Sequence, residues 1–401
     1  MRVVRSSLAF SETGPSVGTT RSIRFDLLRR LHRSVQERLS DHGADFLLAI
    51  ALFVASSIFF YLFARLSIEY GGSDVSLAGA CTKDCDWYAT IIQDGYHLEP
   101  VAHPKRDAAN WAFFPAFPLA AKLISTLGGY SPDAALVITG KLFFLGCIFV
   151  FLVAARRELG LEARYPAGIL VAFNPYLVYA HAGYSEPLYF LLTAMAFVAA
   201  GSRRWVMAGL AAGALSATRL VGALFGIALL IEIWRSGALA NRRSWPTLLL
   251  ALLLCPLGLA LFMAYLHVHL GDALAFKHVQ VAWGREISNP LQNLADGLAL
   301  RLGGWSVYFT LCAAAAIGVS ASLAWRGRYG HAAFLLGAIL VPLSTGLISL
   351  PRYVFWQFPF LFGVLEIVSK SKLTALGYVV FSSATAGLMV VAWFTNKPFV
   401  W

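Results

Sequence analysis

The sequence predicts an all-α polytopic membrane protein, and three observations lead to this fold class. First, 58% of the 401 residues are hydrophobic and only 13% are charged, whereas soluble domains contain roughly 25% charged residues. Second, about eleven apolar segments approach the ~20 residues that a helix needs to cross a bilayer. Third, the loops between most of these segments are short and rich in arginine. We therefore predict one multi-helix membrane domain over residues 45–401.

The apolar segments follow one another along the chain without an internal repeat. They lie near residues 45–66, 134–155, 165–181, 185–201, 204–217, 219–234, 246–268, 305–325, 331–349, 353–369 and 373–395. Some are short, and the two segments within 204–234 can equally form one broken unit. Residues 1–44 precede them and carry eight arginines. We predict a basic cytoplasmic segment there, disordered over residues 1–20 and helical on the membrane surface over Phe25–Leu39.

The basic residues predict how the protein is oriented in the membrane. If the apolar segments alternate across the bilayer, 20 of the 32 lysines and arginines fall on the same side as the N-terminus. The positive-inside rule makes that side cytoplasmic. The net charge of +11 is thereby explained by topology, and no nucleic-acid partner is expected. Two long loops, 67–133 and 269–304, are predicted to face outward.

The first long loop contains the strongest candidates for catalytic residues, Asp84 and Asp86. Apolar residues at helical spacing begin immediately afterwards, at Trp87 and Tyr88, and predict an amphipathic helix along the outer interface. Two acids two positions apart do not share a helix face, so at most one is expected to point into a site. The alternative role for one of them is an N-cap that accepts hydrogen bonds from backbone N–H groups.

Residues 112–128 form a second predicted element of this loop. Pro115 and Pro118 disfavour a spanning helix, so we predict an interfacial or re-entrant segment. Its aromatic residues either belong to a membrane-interface belt or contact a substrate. Earlier in the loop, Cys81 and Cys85 flank Asp84; a disulfide is chemically possible on an outer face, and the sequence leaves its formation open.

Two arginines at the outer ends of apolar segments are candidate phosphate ligands. Arg219 follows a helix of small residues, and Arg352 lies at the same predicted depth between two other segments. Charged residues at membrane ends are functional candidates by default, and guanidinium groups bind phosphate through paired hydrogen bonds. The alternative for both is snorkelling or pairing with Glu186. In the second long loop, Gln280, Trp283 and Arg285 mix aromatic and polar groups as sugar sites do.

Taken in order, these motifs resemble the PIG-V family, the mannosyltransferases that add the second mannose in GPI-anchor assembly, together with their prokaryotic relatives. The resemblance covers residues from about 80 to 290, and more faintly Arg352. The matching motifs are Asp84-x-x-Trp87-Tyr88, Gly95-Tyr96, Ala112-Phe113-Phe114-Pro115-x-Phe117-Pro118, Tyr184-Ser185-Glu186-x-Leu188, Ala217-Thr218-Arg219-x-x-Gly222, and Gly271-Asp272 through Phe276 and Gln280 to Trp283-Gly284-Arg285. Two positions depart from the pattern: Lys83 replaces the usual tryptophan, and Val221 replaces a frequent asparagine.

The resemblance implies a GT-C fold, that of a multi-helix membrane glycosyltransferase. With the apolar segments above, we expect about eleven transmembrane helices and interfacial helices in the first outer loop. It also implies transfer of mannose from a polyprenyl-phosphate carrier on the extracytoplasmic face, here of a bacterial inner membrane. The leading acid of the family pattern, the catalytic one, falls on Asp84, and we keep Asp86 as a second catalytic candidate. The substrate-binding candidates are Trp87, Tyr88, Glu186, Arg219, Gln280, Trp283, Arg285 and Arg352.

The chemistry of such a transfer fits these residue types. One carboxylate can accept the proton of the attacking hydroxyl, and the leaving phosphate needs no general acid, unlike a glycosidase with its two carboxyl groups. We expect inversion at the anomeric carbon and no cofactor; a divalent metal held by Asp84-x-Asp86 is the less favoured alternative. The expected partners are a lipid-linked sugar donor, a lipid or glycan acceptor and membrane lipids, and any small partner subunit is left open.

Two other functions remain compatible with the sequence. One is a related enzyme that uses another polyprenyl-phosphate sugar, such as arabinofuranose. The other is a transporter or flippase for lipid-linked sugars, which performs no chemistry. A transporter is expected to carry its key ionisable groups near the middle of the membrane, whereas the charges in this sequence lie mostly in loops.

Overall fold

A computed structural model describes residues 17–72, 75, 76, 78–102 and 106–400, with side chains from residue 41 onward. The chain divides into two compact units, residues 1–47 and 48–401. Within the first, a helix begins at Val17, earlier than the helix predicted from Phe25. The prediction of disorder over residues 1–20 is wrong for residues 17–20, which are helical, and residues 1–16 lie outside the described residues. In the described part of the second unit, the only β-type pairing is an isolated bridge between Val101 and Ala108.

Over the described residues, the fold is a sequence of eighteen α-helices joined by short loops and 3₁₀ turns. In chain order they are α1 (Val17–Ile68), α2 (Asp84–Gln93), α3 (Ala116–Gly128), α4 (Pro132–Leu159), α5 (Arg164–Ala172), α6 (Val178–His181), α7 (Glu186–Gly201), α8 (Trp205–Ser216), α9 (Phe225–Arg235), α10 (Trp245–Leu254), α11 (Leu257–Leu270), α12 (Ala275–His278), α13 (Pro290–Leu298), α14 (Ser306–Trp325), α15 (Tyr329–Leu343), α16 (Leu350–Phe355), α17 (Phe358–Val368) and α18 (Lys372–Phe394). The all-α fold class is therefore confirmed.

Within the described residues, four helices are individually long and apolar enough to cross a bilayer. They are Asp41–Ile68, Pro132–Leu159, Ser306–Trp325 and Lys372–Phe394. Helices α10 and α11 pass the same test together, although a 47° bend separates them. Each of the other predicted segments also coincides with helix, but as shorter or interrupted pieces, because prolines, glycines and polar residues end these helices early.

Three aromatic rings from different helices show how the bundle is packed. Phe151 of α4, Phe190 of α7 and Phe358 of α17 are buried and have ring centroids 5.7 to 5.8 Å apart in edge-to-face arrangements. Such arrangements add to the free energy gained by burial. Elsewhere, α8 and α10 approach so closely that a Cβ atom added at Gly209 would lie 2.4 Å from the carbonyl oxygen of Ala251. Small residues permit this close helix packing.

The two ends of the bundle gather different charged loops. The loops predicted to be cytoplasmic meet at one end, where Arg328 contacts Glu158 at 3.2 Å and also pairs with Glu366. Arg157 donates a hydrogen bond to Ser202 over 3.0 Å at the same end. The loops predicted to face outward meet at the other end, which we call the site end. This arrangement agrees with the predicted alternation of the segments.

The first long loop places two helices at the site end. Helix α3 begins directly after Pro115 and has Pro118 in its first turn, where a proline costs no intrahelical hydrogen bond. It extends over only 13 residues, consistent with the expectation that residues 112–128 do not form a full span. Helix α2 begins at Asp84, so the predicted amphipathic helix includes both acids in its first turn.

Candidate functional site

Four separate segments bring charged side chains together at the site end. Asp84 is the first residue of α2, Glu186 opens α7, Arg219 follows α8, and Arg352 lies in α16. Arg352 donates a hydrogen bond from Nη2 to Oδ2 of Asp84 over 3.0 Å, and its Nε lies 3.6 Å from Oε1 of Glu186. Arg219 pairs with the same Glu186 oxygen through Nη2. The four side chains thus form one continuous chain of ion pairs.

Glu186 connects the two arginines from a fully buried position. Its Oε1 faces both guanidinium groups, whereas Oε2 lies buried without a hydrogen-bond partner among the described residues. An unpaired buried carboxylate would be strongly destabilising, so the pairing with both arginines stabilises the Glu186 side chain in its buried position. The pairing role considered for Arg219 and Arg352 in the sequence is therefore present in the structure.

Tyr353, which the sequence did not single out, connects a further arginine to this cluster. Its hydroxyl lies 3.2 Å from Nη2 of Arg352 and 3.4 Å from Nη2 of Arg285, and Arg219 stacks over its ring at 4.9 Å. Burial alone raises the pKa of Tyr353, but Arg285, Arg352 and Arg219 lower it by more, to about 7. The only sequence signal for this residue is its position next to Arg352. Gln280 contacts Arg285 at 3.5 Å.

Aromatic side chains form a wall beside the charged cluster. Trp87, Phe113 and Trp283 come from three segments and have mutual centroid distances of 5.7 to 6.1 Å. All three remain partly exposed. Tyr88, from the same helix turn as Trp87, is buried and donates a hydrogen bond to Oγ of Ser185 over 3.1 Å. The predicted outer loops therefore bring their aromatic candidates into one surface.

The two acids of the first loop have different surroundings. Asp84 is partly buried and reaches Arg352, whereas Asp86 lies on the exposed side of α2. Loss of hydration and the nearby carboxylates of Asp133 and Asp84 raise the pKa of Asp86. Lys83, and neither acid, occupies the N-cap position of α2, and it makes no side-chain capping bond. The N-cap role considered for one acid is therefore not what the structure shows.

A disulfide joins Cys81 to Cys85, with a Cα–Cα distance of 5.3 Å. This resolves a pairing that the sequence left open. The other three cysteines, Cys147, Cys255 and Cys312, are free and buried, as expected for small apolar residues inside apolar segments.

Comparisons with known proteins identify the fold. No protein-family model matches the chain, and neither does any curated protein. The chain is similar to the crystal structure of ArnT from Cupriavidus metallidurans bound to undecaprenyl phosphate, with a TM-score of 0.50 and 18% sequence identity. That match covers 86% of this chain and 63% of ArnT, so the chain spans less than two thirds of its neighbour. The apo structure of the same protein matches with a TM-score of 0.42, at 17% identity, over 88% of this chain and 76% of that one.

ArnT is a GT-C protein, and the similarity extends over most of the chain described here. The fold implied by the sequence motifs is thereby confirmed, while membership of the PIG-V family stays a prediction. The chain is a multi-pass membrane protein with the GT-C fold.

Proposed function

We propose that this protein is a membrane glycosyltransferase that transfers mannose from a polyprenyl-phosphate-mannose donor to a lipid-linked or glycan acceptor on the extracytoplasmic face. The observation that carries the proposal is the contact of Asp84 with Arg352, 3.0 Å apart, within a cluster that also contains Arg219 and Arg285. A carboxylate beside several guanidinium groups supplies the two functions that this transfer needs. These are a base for the acceptor hydroxyl and positive charge for the departing phosphate.

Asp84 is the proposed base. A sugar or lipid hydroxyl that attacks the anomeric carbon must lose its proton, and a positioned carboxylate accepts it. The C–O bond to the new acceptor forms as the bond between the anomeric carbon and the phosphate oxygen breaks. A single displacement of this kind inverts the anomeric configuration. The ion pair with Arg352 fixes the position of the Asp84 carboxylate at the site.

Arg219, Arg285 and Arg352 are the proposed ligands of the donor phosphate. Guanidinium groups stabilise phosphate oxygens by charge-assisted hydrogen bonds, and such donors act most strongly where charge develops in the transition state. Tyr353 holds Arg285 and Arg352 through its hydroxyl without contributing a carboxylate that would compete with phosphate. The similarity to ArnT bound to undecaprenyl phosphate supports a lipid phosphate as the donor's leaving group.

The aromatic wall supports a sugar as the transferred group. The partly exposed rings of Trp87 and Trp283 lie beside the charged cluster, where an apolar face of a pyranose can pack against them. Gln280 and Arg285 offer hydrogen bonds to hydroxyl groups next to this wall. The choice of mannose rests on the resemblance of the motifs to the PIG-V family, and arabinofuranose is the alternative sugar.

An assay with purified protein tests the proposed function. Radiolabelled polyprenyl-phosphate-mannose is incubated with the protein and candidate lipid acceptors, and polyprenyl-phosphate-arabinofuranose serves as the competing donor. Formation of labelled glycolipid from the mannose donor is expected. If labelled glycolipid forms only from the arabinofuranose donor, the transferred sugar is arabinofuranose and not mannose. If reconstituted vesicles translocate intact labelled donor and no donor yields product, the protein is a transporter.

We predict that the transfer does not require a divalent metal. The donor carries a single phosphate, and the arginines provide the positive charge that a metal supplies to nucleotide diphosphate donors. Activity is therefore expected to be unchanged after treatment with EDTA and removal of the chelator by gel filtration. A loss of activity that Mg²⁺ or Mn²⁺ restores would contradict this prediction and assign a metal to Asp84 and Asp86.

The proposed face of catalysis is tested by single-cysteine labelling. Ala102 and Ala240 lie in exposed loops at opposite ends of the bundle, and the free native cysteines are buried. In intact cells, a membrane-impermeant maleimide is expected to label Ala102→Cys and not Ala240→Cys, with both labelled after permeabilisation. Labelling of Ala240→Cys alone in intact cells would reverse the orientation.

A further inference from the structure

The disulfide between Cys81 and Cys85 encloses Asp84 in a closed ring of five residues. The bond connects the residue three positions before Asp84 to the residue immediately after it. The distance between the two Cα atoms, 5.3 Å, lies within the range in which disulfides form. Helix α2 starts inside this ring, at Asp84 itself. The disulfide therefore restricts how far the Asp84 backbone can move relative to the segment that precedes the helix.

The ring is held against the segment that carries Glu186. The hydroxyl of Tyr184 accepts a hydrogen bond from the backbone N–H of Asp84 over 3.1 Å and donates one to the carbonyl oxygen of Thr82 over 2.9 Å. Sγ of Cys85 is fully buried and lies 3.5 Å from the carbonyl oxygen of Gly183. A Cβ atom at Gly183, whose φ is +76°, would come within 2.8 Å of this sulfur. The disulfide ring therefore packs closely against the segment that contains Gly183 and Tyr184.

Ring closure also coincides with an unfavourable backbone conformation at Lys83. Its φ is +64° and its ψ is −117°, a region that residues with a side chain rarely adopt and that persists only where surrounding contacts enforce it. The Lys83 ammonium lies 4.2 Å from the centre of the Trp393 ring. Burial lowers the pKa of Lys83 to about 8, with Asp84 opposing and Arg352 reinforcing that shift. Among the five residues of the ring, only Lys83 has a positive φ.

We propose that the Cys81–Cys85 disulfide is a positioning element that holds the Asp84 carboxylate against Arg352, so that the enzyme reaches full turnover only when this bond is formed. The proposal rests on the proposed function, in which Asp84 is the base. Arg219, Arg285 and Arg352 lie on segments outside the ring, and Arg352, the one that contacts Asp84, is also held by Glu186. Opening the ring therefore affects proton transfer by Asp84 more than it affects binding of the donor phosphate.

Reduction of the disulfide gives two thiols. With dithiothreitol, two electrons and two protons pass to Cys81 and Cys85, and the reductant becomes a cyclic disulfide. Lys83 is then free to relax to a negative φ, which moves the start of α2 and the Asp84 carboxylate. Because misplacing a catalytic group by about 1 Å can cost ~10²-fold in rate, kcat is expected to fall roughly 10- to 100-fold. The donor KM is expected to change little.

The experiment compares purified wild-type protein before and after dithiothreitol with the double variant Cys81→Ala/Cys85→Ala. Thiol alkylation and mass spectrometry measure the redox state of the two cysteines. We expect the reduced wild type to show lowered kcat with an unchanged donor KM, and reoxidation by oxidised glutathione to restore kcat. The double variant is expected to match the reduced wild type and to be insensitive to dithiothreitol, which also excludes an effect of the reductant elsewhere.

Several outcomes would overturn the positioning role. If the reduced wild type keeps full kcat while alkylation shows that both thiols are free, the disulfide has only a structural role. The same conclusion follows if reduction lowers the thermal midpoint but leaves kcat per folded molecule unchanged. If dithiothreitol does not reduce the disulfide, the double variant provides the test by itself. Full kcat in the double variant would again show that the disulfide has only a structural role. An unaffected kcat in Asp84→Asn would instead refute the catalytic role of Asp84, so failure of the proposed function is distinguishable.

Discussion

Replacement of Asp84 by asparagine is expected to lower kcat about 10²- to 10⁴-fold, the usual effect of removing a general base. The amide cannot accept a proton from the acceptor hydroxyl, although it keeps the shape of the carboxylate. Its oxygen can still accept the hydrogen bond that Arg352 donates to Oδ2 of Asp84. The loss of stability is therefore expected to be about 1 kcal/mol, as for an ordinary hydrogen bond. Initial rates at saturating donor and thermal unfolding in detergent measure the two effects.

Asp86→Asn is the matched control, because Asp86 lies in the same helical turn and carries the same functional group. Its carboxylate is exposed and does not reach the arginines. Turnover is expected to stay within a few-fold of the wild type, since a change at an exposed site away from the chemistry has little effect. Normal turnover in Asp84→Asn with a collapse in Asp86→Asn would exchange the two roles. Normal turnover in both variants would remove this loop as the catalytic site.

The fold and the end of the bundle that carries the site could be predicted from the sequence because both depend on local patterns. Apolar runs define helices, and the one-sided distribution of arginine defines which loops lie together. These two rules place Asp84, Glu186, Arg219 and Arg352 on one side, and the structure brings the four side chains into contact. The helix predicted after Asp84 is also present, because residues 84–93 bury one face.

The rest depends on tertiary contacts that no local pattern contains. Tyr353 joins the cluster only because α16 brings its hydroxyl between Arg285 and Arg352. Several helices also end before they are long enough to cross the bilayer. Such a helix is packed against its neighbours, and the sequence of one segment does not show this packing. Lys83 departs from a family pattern, but no local pattern indicates its positive φ, which depends on the surrounding ring and on the contact with Trp393.

Replacement of Arg352 by lysine is expected to raise the donor KM roughly 10- to 100-fold, which corresponds to the ~1.5–3 kcal/mol of a hydrogen bond to a charged group. Arg352 contacts Asp84 through Nη2 while its Nε faces Glu186. A lysine ammonium has no planar fork and cannot reproduce both contacts. Because Arg352 also holds the proposed base, kcat is expected to fall as well. Initial rates over a range of donor concentrations separate the two parameters.

Arg219→Lys and Arg328→Lys separate the loss of a phosphate contact from the loss of the contact with Asp84 and from a general loss of stability. Arg219 pairs with Glu186 but does not contact Asp84, so its lysine variant is expected to raise the donor KM with a smaller decrease in kcat. Arg328 contacts two carboxylates at the opposite end of the bundle, so its lysine variant is expected to lose stability without a change in donor KM. An unchanged donor KM in both site-end variants would assign Arg219 and Arg352 to structure alone. A raised donor KM in Arg328→Lys would mean that a general loss of stability, and not a lost phosphate contact, produces the effect.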